Sequence, residues 1–390
     1  MKKVILTLVF AVFTAFGFAQ QPTYGCGGND GGHDHQRCVE IDQRTDICYP
    51  RVDGPAILCW SDLRAALYAG ASYSQAIQLG KKSKALITQK GSNVSVTFQY
   101  GTGGAYNVIK VNQSDGGGLA EANWSYVTQL GKGNVTNVKQ TGIKNKSDID
   151  QYGKFNTAIV DQKGHRHMSD IDQIGISNKA KVTQVDCKNR AKVFQKGCSN
   201  DSDQQQSARA NLACAKQIGH YNESDQKQSG VGRNLAKVRQ GKNSSYAYHN
   251  KASQTQIGFR NSAYIDQDGK RNIATQTQTK SFNYAEADQD GLLNKSTQTQ
   301  DGRRNEALVV QRGKRNTATQ KQTGNRNMAL SFQGGIKNES ISIQKDDNNY
   351  SFIGQLGFNN FAKVNQADGN QVSIALQAGS NNIIRVTQSK

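Results

Sequence analysis

The stretch QDGRRNEALVVQRGKRNTATQKQ, residues 300–322, holds few apolar side chains, yet Gln returns at its start, middle and end. The same step can be followed from Gln78 to Gln388, and 22 of the 27 intervals between successive Gln residues are eleven residues long. The remaining intervals are slightly shorter or longer, which is typical of small insertions and deletions in turns. A fixed period of this kind predicts a stacked repeat architecture.

From Gln129 onward each unit repeats the same residue types. Asn lies six positions before the closing Gln in 21 of 23 units, with His167 and Gln371 as the exceptions. Ala or Ser lies four positions before that Gln, and Val or Ile usually lies two before it. A Gly commonly follows two positions after it. The unit is therefore Q-x-G-x-x-N-x-A-x-V-x-Q.

An eleven-residue period is also typical of right-handed helical supercoils. A helix would contain a Gly in most units, each costing about 1 kcal/mol relative to Ala. In N-x-A-x-V-x-Q the recurring residues alternate with period two, so a strand would point all four to one face. The pattern favours strands joined by tight arcs, in which Gly takes positive φ.

Buried Asn and Gln side chains are costly when unpaired, at about 1 to 3 kcal/mol for each amide. Coils stacked about 4.8 Å apart remove this cost, because each Gln can bond the equivalent Gln above and below. Asn can also bond the backbone of the arc. We therefore expect a self-assembly ladder made of Gln267, Asn272, Gln278, Asn283, Gln289, Asn294, Gln300, Asn305, Gln311, Asn316, Gln322, Asn327, Gln333, Asn338 and Gln344.

Two units form one closed coil of strand, arc, strand and arc. The T-Q-T-Q segments at 275–278 and 297–300 are two units apart, and the unit between them lacks this pattern, which favours the double unit as the true repeat. With 35% hydrophobic residues the chain has too little apolar material for a conventional core. The predicted fold is all-β: a two-sheet β-solenoid of about 13 to 14 coils, each of roughly 22 residues.

The N-terminus has the pattern of a secretory signal peptide over residues 1–19. A basic Met1-Lys2-Lys3 precedes an apolar run, and small residues precede Gln20. That run is too short for a stable membrane span. We expect a cysteine-containing segment over residues 20–77 and the repeat array over 78–390. In an exported protein, two disulfides among the four cysteines are expected, with the pairing left open: Cys26, Cys38, Cys48 and Cys59.

The repeat resembles the curlin repeat of bacterial curli subunits. The unit running from Asn261 and Ala263 through Gln267 and Gly269 to Asn272 carries this resemblance, which extends over about residues 78–388. It implies a secreted functional amyloid that polymerises into surface fibres for biofilm matrix and adhesion. It also implies two partners, a nucleator and an outer-membrane export system. Many repeats and seven cysteines depart from the usual curlin pattern, so both major subunit and nucleator remain open.

The net charge of +19 predicts attraction to polyanions. Anionic polysaccharide, lipopolysaccharide and extracellular DNA are the candidate ligands, with solvated loops as the alternative. The cations concentrate in predicted arcs on both edges. The candidate contacts are Lys270, Arg271, Lys314 and Arg315 together with Arg303 and Arg304.

Two further surfaces are predicted on outward positions. One is an apolar patch for lateral fibre contact, made of Leu308, Val310, Leu330, Phe332, Phe352, Ile374 and Leu376. The other is acidic and comes from two S-D-I-D-Q segments that lie two units apart: Asp148, Asp150, Asp170 and Asp172. These carboxylates are either weak Ca²⁺ ligands or charges that prevent lateral aggregation.

Other functions find less support. An outward threonine array at Thr255, Thr275, Thr277, Thr297 and Thr299 suggests an ice-binding solenoid as an alternative. No nucleophile motif or phosphate loop occurs, so no enzyme, cofactor or metal is predicted. A monomeric, capped surface adhesin is the remaining alternative. Because the last residues fall on a ladder position, Gln388, without a polar terminal repeat, the sequence favours addition of another chain.

Overall fold

The computed structural model describes residues 72–116, 121–241 and 247–389. Within these ranges the chain is almost entirely β-strand, and the first strand begins at Tyr73. No helix in this part of the chain could span a bilayer. The predicted signal peptide, the four N-terminal cysteines and nearly all of the segment 20–77 lie outside the described residues.

From β3 onward the strands are short and follow one another at regular intervals. Their bounds are β1 Tyr73–Gly91, β2 Asn93–Gly116, β3 Asn123–Lys132, β4 Val135–Ile143, β5 Lys146–Lys154, β6 Thr157–His165, β7 Met168–Ile176, β8 Lys179–Cys187, β9 Arg190–Cys198, β10 Asp201–Gln206, β11 Leu212–His220, β12 Glu223–Gly232, β13 Leu235–Gln240, β14 Lys251–Phe259, β15 Ser262–Lys270, β16 Ile273–Ser281, β17 Tyr284–Leu292, β18 Lys295–Arg303, β19 Glu306–Lys314, β20 Thr317–Thr323, β21 Met328–Ile336, β22 Glu339–Gln344, β23 Tyr350–Phe358, β24 Phe361–Gln366, β25 Val372–Ser380 and β26 Ile383–Gln388.

From β3 onward each strand pairs in parallel with the strand after next, while the two halves of β1 pair with the two halves of β2, which in turn pair with β3 and β4. The chain thus winds into about 14 coils of roughly 22 residues. The odd strands from β3 form the front sheet and the even strands from β4 form the back sheet, while β1 and β2 contribute one half to each. Arcs that lead from front to back form edge 1, and arcs that lead from back to front form edge 2. The predicted two-sheet β-solenoid is confirmed.

The interior is thin because its side chains are small or flat. Along most strands, buried and partly exposed residues alternate, as the period-two pattern predicted. Ala is the second residue of many strands, and short runs of Val and Ile stack beside it from coil to coil. Between these apolar runs the back sheet carries a second column of buried Gln residues, formed by Gln204, Gln226, Gln254, Gln276, Gln298 and Gln320.

Each arc typically contains two residues whose φ angle lies in the left-handed region. The first is the predicted glycine, for example Gly291 with φ of 118°, where an added Cβ would lie 2.0 Å from the carbonyl oxygen of Gly313. The second is the residue directly before Asn, which is seldom Gly: Arg271 and Arg315 have φ of 55° and 57°. Its amide donates to the previous coil, as from Arg271 to the Tyr248 carbonyl at 2.8 Å. The sequence pattern did not reveal this second position.

Replacing Gln278 by Leu should destabilise the solenoid. The Gln278 amide accepts from Gln256 at 2.9 Å and donates to Gln300 at 2.8 Å. Leu would leave one donor and one acceptor buried without partners, at about 1 to 3 kcal/mol each. Urea unfolding of the full chain should show a clearly lower midpoint.

The matched control is Thr277→Val, an outward substitution on the same strand. It should shift the midpoint little. Equal midpoints for the two variants would mean that the buried amides contribute no net stability.

Candidate functional site

Every residue of the predicted self-assembly ladder lies in the interior. The buried set comprises Gln267, Asn272, Gln278, Asn283, Gln289, Asn294, Gln300, Asn305, Gln311, Asn316, Gln322, Asn327, Gln333, Asn338 and Gln344. Each Gln Nε2 donates to the Oε1 of the Gln one coil further on, as from Gln267 to Gln289 at 2.9 Å. Its second hydrogen goes to a strand carbonyl, that of Lys251 in this case, at 3.0 Å. The amide is therefore fully used as a donor.

Asn joins the arcs of neighbouring coils. Asn272 Nδ2 donates to the Asp268 carbonyl in its own arc at 2.7 Å and to the Gly291 carbonyl in the next coil at 3.2 Å. Its Oδ1 accepts the backbone N–H of Asn294 at 3.0 Å. The expected Asn-to-arc bonds are therefore present.

His167 replaces Asn at one position and reproduces most of its bonds. Its backbone N–H donates to Asn145 Oδ1 at 3.1 Å, and its Nδ1 accepts from the backbone of Asn189 at 3.3 Å. Burial lowers the pKa of the imidazole. A neutral ring with an acceptor at Nδ1 can therefore substitute for the amide oxygen.

The ladder has one direction throughout the described coils, which the sequence could not show. Gln N–H groups point toward the C-terminal end, and Asn Oδ1 atoms accept from that same side. At the last described coil, Gln377 and Gln388 donate only to the strand carbonyls of Phe361 and Val372. Each Nε2 thus retains one hydrogen for which the described residues provide no acceptor.

The predicted lateral patch is only partly available for contact. Its columns run as predicted, from Leu308 through Leu330 and Phe352 to Ile374. However, Leu330 and Phe352 are only 4% and 1% exposed, so their prediction as contact residues is wrong. Of the remaining members, Leu308, Val310 and Phe332 are half-buried, and Ile374 and Leu376 are exposed.

The burial of Phe352 has a local cause. Gly354 lies beside it on the outer face, and a Cβ there would meet Leu376 Cδ2 at 2.8 Å and the Phe352 ring at 3.4 Å. The ring of Phe332 packs against that of Phe352 with centroids 5.6 Å apart. The accessible surface of this patch therefore concentrates on the last described coil, where Ile374 and Leu376 are both 45% exposed.

The six predicted polyanion contacts are exposed but do not form one surface. Lys270, Arg271, Lys314 and Arg315 lie on edge 1, where Leu292 and Leu293 separate the two pairs. Arg303 and Arg304 lie on edge 2. An anion bound at one pair therefore cannot reach all six cations.

The four aspartates form two stacked columns on the front sheet, with Asp148 beside Asp170 and Asp150 beside Asp172. Lys192 follows in the next coil, and its Nζ lies 2.8 Å from Asp170 Oδ2. In the described ranges no group of three or more His, Cys, Asp or Glu side chains is arranged to hold a metal ion. The interpretation as a calcium site therefore lacks structural support.

Burial is the main cause of raised carboxyl pKa values in this cluster. It raises the pKa of Asp148 to about 7, and the Asp150 charge adds to the effect. It raises the pKa of Asp172 to about 6, with Asp170 adding to the effect. Near neutral pH, part of the cluster therefore carries protons rather than charge.

The threonine array forms two outward columns on the back sheet. Thr275 pairs with Thr297, and Thr255 leads through Thr277 to Thr299, where Lys321 interrupts the second column. Cys187 and Cys198 lie on opposite edges of the solenoid and both are free thiols, whereas Cys214 is buried.

Stability should fall as the pH rises from about 4 to about 7. Asp148 and Asp172 bind protons more tightly in the folded chain than at their ordinary pKa of 3.8. The folded state is therefore favoured at low pH, and this contribution is lost once the pH passes the folded pKa. Asp148→Asn should reduce this loss and raise the urea midpoint above that of the original chain at pH 8.

Asp301→Asn should change the stability at neutral pH in the opposite direction to Asp148→Asn. Hydrogen bonds from Thr279 and Lys280 lower the pKa of Asp301. This substitution should therefore weaken the chain slightly at neutral pH and have no effect at low pH. If the urea midpoints of the unmodified chain and of both variants changed with pH in the same way, the loss of stability could not be assigned to Asp148.

Two segments of the array, residues 145–175 and 302–330, match the family model for the curlin associated repeat. The first segment includes β5, β6 and nearly all of β7, and the second includes β19, β20 and the start of β21. A search of curated proteins found no match. Both the repeat and the solenoid are structural rather than catalytic features. The chain carries curlin associated repeats folded as a β-solenoid, and these repeats support its assignment to the curlin family.

Proposed function

We propose that this chain is an exported structural subunit that assembles end to end into curli-like amyloid fibres of the biofilm matrix. The observation that supports this most directly is the equivalence of the coils. The last described coil has the open donors that every internal coil uses to hold its neighbour. The first described coil has the matching open acceptors.

The acceptors lie at the other end of the same ladder. Gln78 Nε2 donates to Gln99, and Gln89 Nε2 donates to Gln113, both at 2.8 Å. Their Oε1 atoms receive no hydrogen bond from the described residues. A second copy stacked on the last coil would place these two oxygens over the free N–H groups of Gln377 and Gln388.

The two ends also agree in register. If Val372–Ser380 paired with the segment 73–81 of the next copy, Gln377 would face Gln78, and Gly379 would face Gly80. Ser373 and Ala375 would likewise face Ser and Ala. The pairing would therefore continue the same four columns without a shift.

Apolar burial adds a driving force. Ile374 and Leu376 are 45% exposed on the last described coil, and Ile77 and Ile87 lie on the first. Each apolar side chain covered on stacking contributes on the order of 1 to 3 kcal/mol. If two like ends met, hydrogen-bond donors would face donors. The ladder therefore favours fibres in which the last coil of one chain contacts the first coil of the next, with all chains in the same direction.

Export is supported by the sequence pattern of residues 1–19, which is that of a signal peptide. The chain would then reach the cell surface through a curli-type outer-membrane system and add to a nucleator. It can serve as the major subunit or as the nucleator itself. A monomeric, capped adhesin is the alternative outcome of the experiment below.

Gly379→Ala should block fibre growth without unfolding the chain. Within one chain the Cβ of Gly379 would meet only Asn382 Nδ2, at 3.5 Å. At the equivalent internal position, a Cβ on Gly357 would lie 2.0 Å from the Gly379 oxygen, so at a stacked junction the Ala would collide with Gly80 of the next copy. Electron microscopy and thioflavin fluorescence should show elongation slowed by about tenfold or more.

The control is Gly103→Ala, which introduces a side chain at a similar φ of 91° with nothing within 4 Å of its Cβ. It should form fibres like the unmodified chain, and circular dichroism should be alike for all three. Normal elongation by Gly379→Ala would rule out stacking through this end. Soluble, monodisperse particles from the unmodified chain would favour the capped adhesin.

A further inference from the structure

A groove on edge 2 is lined by cations that the sequence pattern did not single out. Its lining residues are Lys144, Lys146, Arg166, Met168, Lys188, Arg190, Ala210, Asn211 and Leu212, around a volume of about 600 Å³. Five of these nine residues are basic, and none is acidic. The groove crosses four successive coils, so it runs along the axis of the solenoid.

The backbone fixes the cations in two parallel columns. Lys144, Arg166 and Lys188 are the left-handed arc residues of successive coils, with φ of 57° to 58°. Arg166 N donates to the Ile143 carbonyl at 3.0 Å, and Lys188 N donates to the His165 carbonyl at 2.9 Å. Because strands in one sheet lie about 4.8 Å apart, this column places a cation on each of three consecutive rungs.

The second column begins each front strand and lies beside the first. It consists of Lys146, Met168, Arg190 and Leu212, so cations alternate with apolar side chains. Lys146 contacts the ring of Tyr126, with Nζ 5.7 Å from the centroid, and lies close to Asp148. Arg166 and Arg190 take part in none of the ion pairs found among the described residues.

We propose that this groove binds an acidic polysaccharide, with its chain parallel to the solenoid axis. Cations repeated on successive rungs match an extended polymer that carries carboxylates or sulfates at regular intervals. Met168 and Leu212 provide apolar surface for the faces of sugar rings.

A nucleic acid strand fits the groove less well. Proteins that bind single strands stack the bases on aromatic side chains, and the groove lining contains none. Duplex DNA presents a phosphate about every 3.4 Å on each strand, which differs from the rung spacing of about 4.8 Å. The cations of these columns therefore do not match the phosphates of a duplex strand one to one.

The test compares two double variants of the full chain with the same loss of charge. One is Arg166→Gln with Arg190→Gln in the groove, and the other is Arg233→Gln with Arg260→Gln, two exposed arginines on the same edge but outside the groove. The probe is a fluorescent alginate oligomer, a pure polyuronate. Each charged contact removed should weaken binding by about tenfold or more, so the groove variant should bind far more weakly, while the control stays within about twofold of the original.

A second groove variant, Lys144→Gln with Lys188→Gln, shows whether weaker binding of the first variant comes from a local folding defect. Circular dichroism tests whether every variant keeps the fold. Both groove variants should also show a shallower dependence of log K on log salt, because fewer cations contact the polymer.

If the groove and control variants lost alginate affinity equally, binding would depend on net charge alone, and the proposed site would be wrong. Unchanged binding in both groove variants would overturn it as well. An oligothymidylate of equal length and charge provides the last comparison. If it bound more tightly than alginate and lost that binding in the groove variants, the polysaccharide assignment would be wrong.

Discussion

The hydrogen bond from one buried Gln amide to the next is the constraint on which the rest of this structure depends. A glutamine in a dry interior costs free energy unless both its N–H groups and its oxygen find partners. Here those partners are the equivalent Gln one coil away and a strand carbonyl, as at Gln267. The coils must therefore remain parallel and in register, since a shift of one residue would move every amide to the outer face.

The same constraint explains where the chain tolerates change. The sequence between β13 and β14 is longer than the other connections, yet the ladder bond from Gln228 to Gln256, 28 positions apart, still forms at 2.9 Å. Outward positions are free of the constraint, so they carry the aspartate columns, the threonine columns and the cations of the groove. The interior thus fixes the architecture, while the outer faces differ from coil to coil.

Much of the fold follows from the sequence, because period-two alternation and a fixed step determine which residues face inward. The left-handed residue before Asn could not be predicted, since Lys144, Arg271 and Phe282 share no side-chain property. Bonds to the preceding coil determine its conformation instead. The burial of Phe352 was missed because it depends on Gly354 and on neighbours one coil away. The basic groove was missed because its two columns come from different positions of the eleven-residue unit, the residue before Asn and the residue after it.

We predict that the amide ladder runs mainly within one chain rather than between chains. Solid-state NMR of fibres grown from chain labelled at glutamine and diluted into excess unlabelled chain tests this directly. Correlations from Gln Nε2 to the Cδ of the next Gln should keep their intensity per labelled molecule, because both residues belong to one solenoid. A loss of these correlations in proportion to the dilution would place the bonds between identical segments of different chains and contradict the solenoid as the fibre subunit.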